Sequence, residues 1–280
     1  MKRKALFVAA LVGLGSVANA QTTQVTNDKG FVVTPEAGDW AIGFNASPLF
    51  NYVGNAFNGS TGNSMNTAFV NGNNAIYGKM FKDENTAYRG SLRIMYGSGS
   101  QSVLTDTNTT GTSPEYITDV VKQSGAGIVL GGGIEKRRGH GKLQGYYGGE
   151  ALITLGGTAA NMKYEYELEM NEANVETNGL VGTSRTLSSK AGSTFGFGVR
   201  GFIGAEYFFA PKISIAAEYG WGLSFTSTGG GETVVENWGL AEPTATTNSR
   251  YEVTTMTGKS GSFGVDTDNL GGAIRLMFHF

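Results

Sequence analysis

Nine charged residues stand out because each interrupts an otherwise apolar alternation: Lys79, Arg89, Arg93, Glu135, Glu150, Arg200, Glu206, Glu218 and Arg275. Read as extended chain, each shares a face with small or polar neighbours, while bulky apolar side chains take the opposite face. Carboxylates alone in a confined space would suit general acid–base work. Here cations and anions nearly balance, five against four, and that mixture suits ion pairing instead. A buried ion without a partner costs about several kcal/mol, so the nine are expected to hold one another in a paired network. A gated or narrow polar pore is the other use for the same residues.

The remaining patterns carry less chemistry. Gly196-Phe197-Gly198-Val199-Arg200-Gly201 matches G-x-G-x-x-G, but a dinucleotide site needs a helix opening at the motif, and this one lies inside an alternating strand. Two histidines, His140 and His279, and no cysteine are poor material for a metal site. Glu165, Glu167, Glu169, Glu172 and Glu176 crowd one polar stretch. Calcium takes carboxylate oxygens, yet the spacing is not that of a calcium loop, and a solvated acidic face is expected. No catalytic residue, cofactor site or metal site is expected.

The charges are positioned by strands. The first is read at Asp39 to Phe50. Three tight pairs follow: Ala75–Phe81 with Ala87–Tyr96, Ala126–Glu135 with Leu143–Leu155, and Thr194–Phe208 with Ile213–Phe225. A last strand runs to Phe280, making eight. The turns within pairs are short: Lys82–Thr86, Arg137–Gly141 and Phe209–Lys212. The connections between them, Asn51–Asn74, Gly97–Ser124, Gly156–Ala191 and Thr226–Ser260, are long and polar. Two contain strand-like patches, Tyr164–Met170 and Tyr251–Met256. Loops beyond about 12–15 residues are uncommon in compact domains, so four at alternate positions need a cause.

Composition narrows the setting. Lys2-Arg3-Lys4, a short apolar run and Ala18-Asn19-Ala20 form the pattern of a cleaved export signal, 1–20. A polar lead-in, 21–38, follows, and 39–280 is read as one domain. The formal charge of −2 becomes −5 once those three cations are removed, and a mildly acidic chain without basic tracts gives no support for nucleic-acid binding. Glycine is abundant, 44 residues against 5 prolines, where average glycine usage is about 7%; that suits crowded strands.

The C-terminus ties these signs together. In LGGAIRLMFHF, Leu276, Phe278 and Phe280 lie on one face with Leu270, Gly272 and Ile274, while Arg275, Met277 and His279 lie on the other. This ending resembles the insertion signal of bacterial outer-membrane β-barrels, with Arg275 where that family often has Gly. Alternating loop lengths and an even strand number fit the same architecture. The chain resembles the small eight-stranded OmpA, OmpX and OmpW class. The resemblance implies an all-β, eight-stranded antiparallel up-and-down transmembrane barrel with four long extracellular loops and three short periplasmic turns. It also implies the outer membrane of a Gram-negative bacterium as location, outer-membrane lipid and the barrel-assembly machinery as partners, and His140 and His279 at the periplasmic rim. Aromatic girdles are expected at Trp40, Tyr88, Tyr207, Phe278 and Phe280 on one side and at Phe50, Tyr96, Phe195, Trp221 and Phe225 on the other. The expected role is structural, or binding of an extracellular ligand or host surface through the loops, without catalysis. The alternative is OmpW-like passive permeation of small, hydrophobic molecules.

Overall fold

Alternation of bulky and small residues gives strands, and the strands close on themselves. The computed structural model describes residues 25–26, 30–46, 75–107, 115–139, 141–266 and 273–280. Twelve strands occur among them: β1 (Trp40–Asn45), β2 (Ile76–Asp83), β3 (Thr86–Asp106), β4 (Tyr116–Arg138), β5 (Leu143–Glu165), β6 (Ser184–Lys190), β7 (Thr194–Ala210), β8 (Ile213–Thr228), β9 (Glu232–Gly239), β10 (Ser249–Met256), β11 (Ser260–Asp266) and β12 (Ala273–His279). The one helical element among them is a π-helical turn at Ala173–Thr177. Every pairing is antiparallel, and β1, β2, β3, β4, β5, β7, β8 and β12 form a closed ring of eight in which β12 pairs back onto β1.

The ring keeps the expected order of strands, but the chain holds more of them. Eight strands were expected and twelve are present among the described residues, because the polar connections are themselves folded. Residues 98–106 and 116–124, read as loop, continue β3 and β4 as a paired hairpin. In the third connection β5 runs on to Glu165, taking in only the first two residues of the Tyr164–Met170 patch, and β6 follows. The fourth connection holds β9 and β10, the latter covering the patch at Tyr251–Met256. The closing strand comes in two pieces: β11 pairs with the far half of β8 and β12 with its near half. Residues 1–24, 47–74, His140 and 267–272 lie outside the described residues, and with them the export signal, Gln21, Phe50, the first long connection, and Leu270 and Gly272.

Inside and outside of the ring follow the period-2 pattern. Ala41, Phe81, Ala87, Tyr146, Phe202, Ala216 and Met277 point inward and make the apolar part of the core. The outward face carries exposed bulky side chains, among them Ile42, Phe44, Leu92, Ile94, Leu130, Ile153, Phe197, Val199 and Leu223. The aromatics expected as girdles are on this face too: Trp40, Tyr88, Tyr207, Phe278 and Phe280 are exposed, as are Tyr96, Phe195, Trp221 and Phe225.

One end of the ring gathers the short turns and both ends of the ring's chain. Trp40 and Phe280 exchange backbone hydrogen bonds, the Gly38 N–H donates to the Phe81 carbonyl, and the His279 N–H donates to the Lys212 carbonyl. The lead-in is more ordered than its polar sequence suggests. Thr26 bridges Val32, Val33 and Thr34 are buried, and the Lys212 N–H donates to the Val33 carbonyl. Asp39 and Lys212 form an ion pair beside it.

Candidate functional site

Parity places all nine expected charges on the inward face, and the ring wall brings eight of them into one continuous set of ion pairs. Near the short-turn end Glu206, fully buried, accepts from Lys79 Nζ at 3.1 Å and from Arg137 Nη1 at 2.6 Å. Glu135 accepts from the same two cations, at 3.0 Å and 2.7 Å. Further along the axis Glu218 is gripped by two guanidinium groups, Arg89 at 2.7 and 3.3 Å and Arg275 at 2.6 and 3.0 Å. Arg200 bridges Glu218 and Glu150, 2.8 Å from each. Glu150 also meets Arg89 Nε at 3.1 Å. The two layers join through Arg89 and Glu135, 3.6 Å apart. Arg93 sits half-buried on the same inward face, four residues further along β3 than Arg89.

Aromatic rings fill the spaces between ions. Arg89 stacks over Phe202 at 3.9 Å, Arg275 over Tyr77 at 4.0 Å, and Lys79 over Tyr146 at 4.8 Å. Such contacts stabilise a cation most where water is excluded. Small residues make the room. A Cβ on Gly204 would lie 2.5 Å from both Tyr146 Oη and the Ala217 carbonyl oxygen. On Gly148 it would lie 2.6 Å from Phe202 Cζ and closer still to the Ile134 carbonyl oxygen. Abundant glycine is thus the counterpart of large inward side chains.

Three network members were not anticipated. Arg137 was read as part of a turn, but β4 runs to Arg138, and Arg137 is fully buried between Glu135, Glu206 and Gln144. His279 was expected at the rim; it is inside, 5% exposed, between the rings of Phe81 and Phe208. Its Nε2 lies 3.0 Å from Ser214 Oγ and 3.2 Å from Glu206 Oε1. Ser214 Oγ in turn donates to Glu206 at 2.5 Å. These are the residue types of a hydrolytic triad in the wrong arrangement. A triad needs the carboxylate on the ring nitrogen that does not face the serine, and here both partners crowd the same nitrogen. With Arg137 included, six arginine and lysine side chains face four glutamates inside the ring.

The residues of the expected insertion signal lie on the outer surface of the ring. Phe278 pairs with Ile42 and Ile213, Leu276 with Phe44 and Ile215. Phe280 caps the strand and is 65% exposed.

At the other end, β6, β9 and β10 make a small sheet attached to β5 through Met162 and Lys163. A cleft of about 1060 Å³ is lined by this sheet and by the extended ends of β3, β4 and β5, with Gln123, Asn161, Tyr164, Lys190 and Glu252 among its residues. The acidic stretch does not converge on a point. Glu165 pairs with Lys122 at 2.6 Å and Lys163 at 3.1 Å, whose hydrogen bonds hold its carboxyl below the usual range. Glu167 accepts from the Thr118 N–H. Glu176 accepts from Trp238 Nε1 at 2.6 Å and Asn248 Nδ2 at 2.7 Å, and those bonds likewise lower its pKa. Tyr166 stacks on Tyr164 and carries Arg185 over its face at 4.3 Å; its hydroxyl pKa is raised, first by partial burial. Among the described residues no three His, Asp or Glu side chains are arranged as metal ligands.

No protein-family model and no curated protein matches this sequence.

Proposed function

We propose that this chain is an integral outer-membrane β-barrel of a Gram-negative bacterium. Its role is structural, or surface interaction through its long outward connections, and it has no catalytic activity. The observation that carries this reading is the inversion of the usual order: bulky apolar side chains cover the outside of the closed ring while paired ions fill the inside. Exposed apolar area on this scale needs an apolar surrounding, and closure of the sheet satisfies the backbone that hydrocarbon would otherwise strand. In the proposed orientation the short turns face the periplasm, and β6, β9 and β10 project outward. Lipid surrounds the ring, and the barrel-assembly machinery inserts it through the terminal strand ending at Phe280.

Permeation of small molecules is the weaker reading, because two tied layers of ions occupy the middle of the ring. The deciding experiment is fractionation with mass spectrometry and gel mobility. The mature chain is expected in the outer membrane, starting at Gln21, and to migrate differently before and after boiling. A soluble periplasmic product, or an intact N-terminus, would overturn the reading.

A further inference from the structure

The outward sheet ends in an open edge. β10 pairs with β9 along its whole length, from Ser249 with Gly239 to Met256 with Glu232, and among the described residues no strand lies on its other side. Seven of its eight residues are exposed. Such an edge presents a row of backbone donors and acceptors to any strand that can align with it.

Charge decides which strand fits. Arg250, Glu252, Thr254 and Met256 share one face of β10. On that face Glu252 stands directly across from Glu236. Glu236 is already held by Arg185 at 2.6 Å and Arg250 at 3.3 Å, whereas Glu252 has no ion-pair partner among the described residues. Like charges facing each other across a ladder are destabilising. The edge therefore calls for a cation one strand further out, opposite Glu252.

We propose that β10 pairs antiparallel with β10 of a second copy of this chain, in the register that sets Tyr251 against Tyr251. Each Arg250 then lies across from the other copy's Glu252, so both unpaired carboxylates gain a cation, and the two tyrosines form an aromatic cross-strand pair. Neighbouring registers fail. Centring on Glu252 opposes two carboxylates, and centring on Arg250 opposes two guanidinium groups. The contact is isologous, with a two-fold axis through the Tyr251 pair, so it closes at a dimer. The inference rests on the reading of the outward sheet as an interaction surface, and gives that surface its partner.

The chain has no cysteine, so a single introduced thiol reports geometry without background. Full-length Tyr251→Cys, purified in detergent and oxidised with copper–phenanthroline, is expected to give a disulfide-linked dimer. Met256→Cys is the control on the same strand: in this register the two positions lie ten residues apart, roughly 34 Å, and cannot be bridged. Within Tyr251→Cys, adding Arg250→Glu is expected to abolish linking, and adding Glu252→Arg as well is expected to restore it. Light scattering of the unmodified protein, expected at twice the monomer mass, keeps the test independent of the thiol. A monomeric mass, equal linking at both positions, or a charge loss that the swap does not repair overturns the dimer. Heat-dependent gel mobility of the same samples reports the barrel separately, so a folded but unlinked chain strikes only this inference.

Discussion

Glu206 accepts hydrogen bonds from Lys79, Arg137 and Ser214 and lies against His279 Nε2. Its carboxylate helps balance two buried cations, Lys79 and Arg137. Removing one partner of a well-buried pair costs about 3–5 kcal/mol, because the other charge is left uncompensated. Glu206→Ala is therefore expected to lower the denaturant midpoint of the purified protein by that order, followed by urea titration in lipid or detergent. Arg93→Ala, at a half-buried position, should cost less. Gly204→Ala tests the packing argument: overpacking a filled interior costs about 1–3 kcal/mol, whereas Gly132→Ala, with open space around its Cβ, should melt like the parent. The inward charges were legible because period 2 sorts them without knowledge of the partner strand. Arg137 obeys the same parity as Glu135, and His279 the same parity as Arg275. Arg137 was misplaced because its strand was ended at Glu135; His279 lay within the strand read to Phe280, on the correct face, and was assigned to the rim although it is buried. What the sequence could not supply is the pairing itself, since Arg137 and Glu206 come from strands distant in the chain that meet only across β5.

At the level of elements, β3 and β4 keep a continuous register from Thr86 opposite Lys136 to Asp106 opposite Tyr116, although only part of that ladder alternates in hydrophobicity. The alternating part borders the packed interior on one side and the apolar outer face on the other. Beyond Gly97 apolar residues no longer alternate with polar ones, as in the adjacent pairs Val103-Leu104 and Val120-Val121, so side-chain type no longer reports the pleat, and the extension was read as loop. Residues 98–106 pair with 116–124, and 120–124 also pair with the end of β5, and ring closure does not depend on them. Replacing 98–124 by an Asn-Gly turn should leave heat-dependent gel mobility intact; failure to assemble would show that the hairpin nucleates the ring. The outward sheet has its own fastening. Glu176 receives hydrogen bonds from Trp238 and Asn248, first among the causes that depress its pKa being the bond from Trp238. A carboxylate whose pKa is lowered on folding stabilises above its unfolded pKa, and that contribution is lost as pH falls through the folded value. The β9–β10 hairpin is thus expected to loosen only under acid conditions below the usual carboxylate range. The emission of Trp238, kept as sole tryptophan, should shift there, and Glu176→Gln should remove the pH dependence.

For the whole molecule, the two ion layers predict that reconstituted protein conducts little in planar bilayers. Steady channels whose selectivity changes with Arg93→Ala, in a protein that melts normally, would promote permeation over the structural role. Phe280→Ala removes one exposed side chain, keeps the two backbone hydrogen bonds to Trp40, and should barely alter the melting of molecules that do fold. It should nevertheless sharply lower their yield, counted as the heat-shifted fraction in membranes. That separation of yield from stability is the mark of a signal read during insertion. A further consequence lies in the seam. β1 meets β12 over five residue pairs, Ala41 with His279 through Asn45 with Arg275, whereas β3 and β4 share a ladder of 21. Among the described residues five pairs is the fewest in the ring, a number β1 shares with β2 as well as with β12, and the β1–β12 joint links the first strand of the ring to its last. The six joints of the ring that do not involve β12 can form without it, whereas its joints to β1 and β8 both wait for that strand. Without β12 the edges of β1 and β8 would both be left unpaired, each an open row of backbone donors and acceptors. The wall thus carries its own test of completeness, applied once, at the moment of closure.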